Sequence, residues 1–322
     1  MSAPKGSKAP IRVLVVDDSA FARKVLREAL SRAEGIEVVG TARDGLDALE
    51  KIAELHPDVV TLDLVMPGLD GLGMLKSLTG PQRPRVVVVS MADSASELAI
   101  SAMQAGAVEL VHKPTALATD RLYELADELI AKVRIAAGAQ VQDPAPSSER
   151  DEVRAAEAAA LPRAHARPAP LVVIGTSTGG PQALTRLLTR LPADFPSPIA
   201  IALHIPAGYT QALAERLDAQ CALEVLEASE GLALRPGRAV LARAGHHLKV
   251  ERHGALTLAR LDRHPLRMPH HPSVDVLFES AARAWGADTV GVVLTGMGDD
   301  GLAGARAIRA AGGTVLTESE SS

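Results

Sequence analysis

The chain has 322 residues, enough for two domains with separate cores, and its 47% hydrophobic and 23% charged residues make an ordinary globular balance. A net charge of −5 argues against broad nucleic-acid binding and a polybasic membrane anchor, and one Trp, two Tyr and three Phe are too few for base-stacking platforms. The single cysteine, Cys221, excludes an intrachain disulfide and a CxxC zinc site; with neither a signal-type apolar segment before the first strand nor a bilayer-length apolar run, a cytoplasmic protein is expected.

In chain order, IRVLVVDD reads as a buried strand ending in two acids, and Ser19 to Arg32 as a helix with Phe21, Val25 and Ala29 on one face. The strand IEVVGTA, a helix from Leu46 to Leu55, the strand DVVTLDL, the loop MPGLDG and a helix from Leu72 to Leu78 follow. PRVVVVS is a strand, SASELAISAMQAGA a helix, VELVHKP a short strand, and Asp120 to Arg134 a closing helix. Such alternation predicts a parallel sheet covered on both faces. Gly138 to Pro170 is rich in Ala, Pro and charge and reads as a linker, with a short helix over Ser148 to Leu161. A second α/β region begins at Leu171. Its strand-like runs are LVVIG, PIAIALH, LEVLEA, AVLARAG, LKVERHG, ALTLAR and DTVGVVLTG. Its helices are expected over Gln182 to Arg190, Thr210 to Ala219, Val274 to Ala284 and Gly301 to Ala311. The fold class is therefore α/β, with two doubly wound domains in series.

Parallel strands gather their carboxyl ends at one sheet edge, where ligands bind. In the first region that edge collects Asp17, Asp18, Asp63, Ser90 and Lys113. Three carboxylates repel unless a cation neutralises them, and Mg²⁺ suits such an oxygen-only set. A lysine and a hydroxyl suit a phosphoryl group. Capping of the next helix by Asp17 and Asp18 is the plainer reading, but it accounts for only two of the five groups. VVDDSAFAR, TLDLVMPGLDGL, VVVVS and HKP, in that order over roughly Ile11 to Arg134, resemble a response-regulator receiver domain. The resemblance implies that Asp63 accepts a phosphoryl group. It also implies that Asp17, Asp18, Asp63 and the Val65 carbonyl hold Mg²⁺, and that Ser90 and Lys113 sense the phosphoryl oxygens.

In the second region, GTSTG fits the G-x-S-x-G elbow between a strand and a helix. Gly175 and Gly179 permit a tight turn, Pro181 suits the first helical position, and the helix start offers N–H donors to an oxyanion. Neither a Walker A lysine nor a G-x-G-x-x-G pattern is present. On these residues alone, Ser177 is either a nucleophile or part of a structural turn. A nucleophilic serine needs a base and an orienter. PIAIALH ends in His204, and VGVVLTG leads to Asp299 and Asp300, so a Ser-His-Asp set can assemble on three strand ends. His246, His247, His264, His270 and His271 cluster in sequence, but their spacing fits no zinc pattern, and Cys221 reads as a structural thiol.

IGTSTGGPQAL, LHIPAGYT, LRPG, HPSVDVLFESAA and LTGMGDDGLAGA resemble the chemotaxis protein-glutamate methylesterase (CheB) family, as does the order receiver, linker, esterase. The resemblance implies domains over 1–137 and 171–322 joined by a linker over 138–170. It implies Ser177 as nucleophile, His204 as base and Asp300 as orienter, with Thr178 and Met297 at the oxyanion hole. It further implies hydrolysis of glutamate methyl esters and deamidation of particular glutamines on methyl-accepting chemotaxis receptors, with a histidine kinase as phosphodonor. No metal is expected at the esterase site, and neither nucleic acid nor membrane insertion is expected. The chain departs from the family at Leu203-His204-Ile205-Pro206, at Ala242-Arg243-Ala244-Gly245 and at His271, where an arginine is common; these changes touch substrate preference through the cleft wall. Relatives usually continue past GGTVLTE, so the catalytic domain is expected to lack its usual C-terminal end and to expose apolar surface there. A non-catalytic receiver-containing adaptor is the competing expectation. A DNA-binding regulator is disfavoured because no basic recognition helix follows the receiver.

Overall fold

A computed structural model of the chain describes residues 9–80, 82–113, 119–139, 169–254, 256–263, 270–296 and 298–318. In the first unit, β1 (Ile11–Val16), β2 (Ile36–Ala42), β3 (Val59–Leu62), β4 (Arg85–Ser90) and β5 (Glu109–His112) form a sheet in the order β2-β1-β3-β4-β5. All four pairings are parallel. Helices α1 (Ala20–Ser31), α2 (Gly45–Leu55), α3 (Gly71–Ser77), α4 (Ala92–Gln104) and α5 (Thr119–Gly138) make the crossovers and cover the sheet. The apolar runs are continuous rather than alternating because the strands are buried on both faces. Ser19 caps α1 by accepting from the Ala22 N–H, while Asp17 accepts the Ser19 N–H at 2.9 Å. The helix cap is thus neither Asp17 nor Asp18.

The second unit contains β6 (Leu171–Thr176), β7 (Ile199–Leu203), β8 (Glu224–Glu227), β10 (Arg238–Leu241), β13 (Thr289–Val293) and β14 (Thr314–Thr317). They form a parallel sheet in the order β14-β13-β6-β7-β10-β8. The helices are α6 (Gly180–Leu188), α7 (Thr210–Asp218), α8 (Val274–Trp285) and α9 (Leu302–Ala310). Helix α6 starts two residues before the expected Gln182, with Gly179 as its N-cap, so Pro181 takes the second helical position rather than the first. The runs LKVERHG and ALTLAR do not join the main sheet. They form an antiparallel hairpin, β11 (His247–His253) and β12 (Leu256–Asp262), extended by β9 (Ala233–Leu234). The Val274–Trp285 helix α8 packs on β11, where Leu248 and Val250 are buried, while Glu251, Arg252 and His253 at its end are exposed.

The two units share packing. Leu14, Val60, Ile100 and Met103 of the first belong to one continuous buried cluster with Leu184, Leu203, Tyr209 and Leu213 of the second. Each such side chain contributes about 1.5–3 kcal/mol on burial, so the units are docked by a true core. Residues 140–168 of the expected linker, its short helix included, lie outside the described residues. No helix among the described residues is long and apolar enough to cross a membrane.

Candidate functional site

The first sheet reverses its strand order at β1, which lies between β2 and β3, and ligands bind at such switch points. Asp17 and Asp18 leave β1 there and Asp63 follows β3; each offers an oxygen, and these atoms lie within 4.8 Å of one another. Lys113 Nζ donates to Asp17 Oδ2 and Asp63 Oδ2, both at 2.7 Å. Burial raises the Asp17 pKa against the pull of Lys113. Burial also works to lower that of Lys113, but the two carboxylates outweigh it and hold the ammonium charged. The Val65 N–H donates to Asp63 Oδ1 at 3.1 Å, which keeps Val65 beside the pocket. Ser90 Oγ is buried with no hydrogen-bond partner among the described residues. Three carboxylates against one ammonium leave a net negative, oxygen-only donor set, and this fits a hard divalent cation. The orphaned Ser90 hydroxyl fits a ligand oxygen still to come.

The second sheet reverses its order at β6, between β13 and β7, and Ser177 immediately follows β6. Gly179 carries the turn, at φ +70°, a left-handed conformation that favours glycine. Gly175 serves packing instead: a Cβ there would lie 2.2 Å from Val274 Cγ1. The Ser177 N–H donates to the Thr295 carbonyl at 2.9 Å, and the His204 N–H to that of Thr176 at 3.0 Å. These bonds bring the serine and the histidine together across adjacent strands. His204 Nδ1 lies 3.2 Å from Ser177 Oγ, and Nε2 lies 2.7 Å from Asp300 Oδ2.

Asp300 is held from several sides. Beyond His204 it accepts the Ser273 hydroxyl at 2.8 Å, the Val274 N–H at 2.8 Å and the Asp275 N–H at 3.0 Å. Burial would raise its pKa, but the bonds from His204, the two backbone N–H groups and Ser273 outweigh it. They hold the carboxyl well below the usual carboxylate range. An ionised carboxylate only accepts, so the His204 ring proton belongs on Nε2 and Nδ1 is left to accept from Ser177. Asp299 is exposed. Met297, expected at the oxyanion hole, lies outside the described residues, as does His264.

Sequence reasoning missed the residues behind Asp300. Ser273 caps α8 through the Val276 N–H, and Asp275 Oδ1 accepts the N–H groups of Gly301 at 2.9 Å and Gly304 at 2.6 Å. Buried His247 accepts the Ser273 N–H at Nδ1, at 3.2 Å. A serine before an apolar run is a recognisable cap signal, but its reach to Asp300, 27 residues on, is visible only in three dimensions. The clustered histidines divide among separate tasks. His270 stacks on His204 with ring centres 4.1 Å apart, and His271 packs on His247 at 4.5 Å. His246 Nε2 accepts from Arg263 at 2.7 Å. The metal-competent group of three or more side chains among the described residues is the acidic one, Asp17, Asp18 and Asp63. His271, one of the departures expected to touch substrate preference through the cleft wall, is half-buried against His247.

The first unit also reaches the second site directly. Thr178 Oγ1 donates to Glu109 Oε1 at 2.5 Å, and Lys132 Nζ donates to Glu109 Oε2 at 3.1 Å. The Gly179 N–H donates to the Val108 carbonyl at 3.4 Å. Tyr209, fully buried on the loop after His204, donates its hydroxyl to the Ser90 carbonyl at 3.0 Å. Gln182 Nε2 reaches the Met103 carbonyl at 2.5 Å, and Arg216 Nη1 reaches Ser101 Oγ at 2.7 Å. The loop around Ser177 is therefore gripped by β5 and its approach.

Residues 172–322 match the family model described as CheB methylesterase, and residues 13–126 match that of the response regulator receiver domain. The chain is 73% identical over 317 residues to protein-glutamate methylesterase/protein-glutamine glutaminase 5 of Myxococcus xanthus (strain DK1622), covering 97% of this chain and 89% of that protein. It is 44% identical over 323 residues to the protein-glutamate methylesterase/protein-glutamine glutaminase of Symbiobacterium thermophilum, covering 97% of this chain and 88% of that one. The protein of the same name from Geobacillus kaustophilus is 46% identical over 307 residues, covering 94% of this chain and 86% of that one.

Proposed function

The chain belongs to the CheB methylesterase family, and from that premise we propose that it is a phosphorylation-activated protein-glutamate methylesterase and protein-glutamine glutaminase acting on chemoreceptors in the cytoplasm. The observation that carries this reading is the hydrogen-bonded series Ser177 Oγ, His204 Nδ1, His204 Nε2, Asp300 Oδ2. Ser177 Oγ attacks the carbonyl carbon of a glutamate methyl ester while His204 Nδ1 takes its proton. Asp300, held ionised, stabilises the imidazolium and fixes its tautomer. Backbone donors near Thr178 and Met297 would receive the tetrahedral oxyanion, and losing one such donor typically costs about 2.7–4 kcal/mol. His204 returns the proton to the departing methanol. Water, deprotonated by the same imidazole, then hydrolyses the acyl-enzyme. A glutamine amide follows the same course with ammonia leaving. These steps use only side chains and backbone of the second unit, so the division into 1–137, 138–170 and 171–322 is a division of labour as well as of chain.

The receiver regulates that site in this reading. Asp63 takes a phosphoryl group from a chemotaxis histidine kinase. Asp17, Asp18, Asp63 and the Val65 carbonyl would hold Mg²⁺, which neutralises charge during the transfer. Ser90 and Lys113 then meet the phosphoryl oxygens. Both connect to the interface: the Ser90 carbonyl accepts the Tyr209 bond, and Lys113 directly follows the strand that begins at Glu109. Phosphorylation would shift the molecule toward a state in which the Ser177 loop is released. The test is methanol release from methylated receptor, with and without a small phosphodonor. Release that depends on Ser177 and rises with phosphodonor is expected; equal release by wild type and Ser177→Ala would reject Ser177 as nucleophile.

A further inference from the structure

His204 has two ring edges and two faces, and both edges are engaged, one by Ser177 and one by Asp300. One face is covered by His270, with ring centres 4.1 Å apart and planes 17° from parallel. We propose that His270 is a positioning residue that clamps the His204 imidazole by stacking, remaining neutral while His204 carries the proton taken from Ser177. This rests on the reading of Ser177 and His204 as nucleophile and base.

The geometry argues for a specific task. Two hydrogen bonds at opposite edges leave an imidazole free to rock about the line joining them. A second ring parallel to its face removes that freedom without competing for either nitrogen. His270 is set in a segment that is itself anchored, because Ser273, three residues on, holds Asp300 and caps α8. One short stretch, 270–275, therefore carries the ring over the base and the donors that fix its orienter. Charge is consistent with this. The ionisable groups felt by His270 are His204, Asp300 and Asp299 of the second unit and Lys132 of the first. Desolvation and the neighbouring His204 lower its pKa. A neutral aromatic face beside an imidazolium attracts it, whereas a second cation would repel it.

The test uses the full chain and compares His270→Ala, His270→Phe and His270→Lys. In the methanol assay, His270→Ala should lower kcat by about tenfold with KM near the wild-type value, the signature of a group acting on the chemical step. His270→Phe should recover most of kcat, because it restores the ring face, and His270→Lys should fall below Ala. A kcat for His270→Ala within twofold of wild type, or no advantage of Phe over Ala, overturns the proposal. A second readout does not depend on catalysis. The NMR signal of the His204 ring C–H groups should carry an upfield ring-current displacement that disappears in His270→Ala and survives in His270→Phe. Loss of that displacement in neither variant, or in both, also overturns the proposal. If wild type shows no Ser177-dependent methanol release while the ring-current pattern is as expected, the stacking stands and the esterase reading fails.

Discussion

Both sheets place a pocket at their carboxyl edge beside a reversal of strand order, yet the two pockets treat charge in opposite ways. At the first, Asp17, Asp18 and Asp63 face a single lysine, so negative charge is left over. At the second, one carboxylate is met by an imidazole, a hydroxyl and two backbone N–H groups. An unbalanced pocket calls for an ion and responds to one. A balanced pocket is already assembled. The same scaffold thus yields a negatively charged pocket in one sheet and a hydrogen-bonded Ser-His-Asp series in the other, and the side chains at the strand ends make the difference.

That contrast can be broken from either side. The largest effect is expected at the balanced pocket: His204→Gln should cut methanol release by at least about a thousandfold, while Asp63 still accepts a phosphoryl group from a small phosphodonor. Asp63→Asn should do the reverse, leaving basal hydrolysis intact and abolishing stimulation by phosphodonor. Chelation of divalent metal in the wild type should reproduce that loss of stimulation. Persistent stimulation in either case would detach regulation from the acidic pocket.

Smaller changes at the junction sharpen the comparison. Glu109→Ala removes a charge-assisted hydrogen bond of about 1.5–3 kcal/mol, and basal activity without phosphodonor should rise by about ten- to a hundredfold. Tyr209→Phe removes a neutral bond of about 0.5–1.5 kcal/mol, and a rise of about two- to tenfold is expected. Unchanged basal rates in both would show that these contacts do not restrain the cleft. The smallest expected effect concerns stability. Asp300 has a folded pKa below its unfolded one, so its contribution is fully present above about pH 4 and is lost as pH falls through the folded value. The difference in urea midpoint between wild type and Asp300→Asn should therefore be flat from about pH 5 to 7 and shrink only in stronger acid.

Much of this was legible in the residues. Buried parallel strands show as unbroken apolar runs, and the acids, Ser177, His204 and Asp300 stand at their ends because a sheet edge is where polar side chains escape the core. The separate β11–β12 hairpin was not distinguished, although the alternation in HLKVERH marks a sheet with one open face. The grip of Ser273 and Asp275 on the Asp300 turn was hidden because it joins elements about 26 residues apart. Glu109 and Tyr209 gave no local signal. A glutamate starting a strand and a tyrosine before a helix are unexceptional until another sheet is docked against them. His270 was noticed only as one of several histidines, and what sets it apart is a ring 66 residues away in the chain.

The bond from the Gly179 N–H to the Val108 carbonyl has a consequence that runs backward through the proposed cycle. Coupling between two equilibria is reciprocal, so whatever factor the phosphoryl group contributes to freeing the serine loop, a ligand seated on that loop returns to the phosphorylated form. A methylated receptor held in the cleft would be more than a substrate: it would favour, at equilibrium, the phosphorylated form that admitted it. Crowded receptor arrays would then retain their active esterase, and sparsely methylated ones would let it lapse.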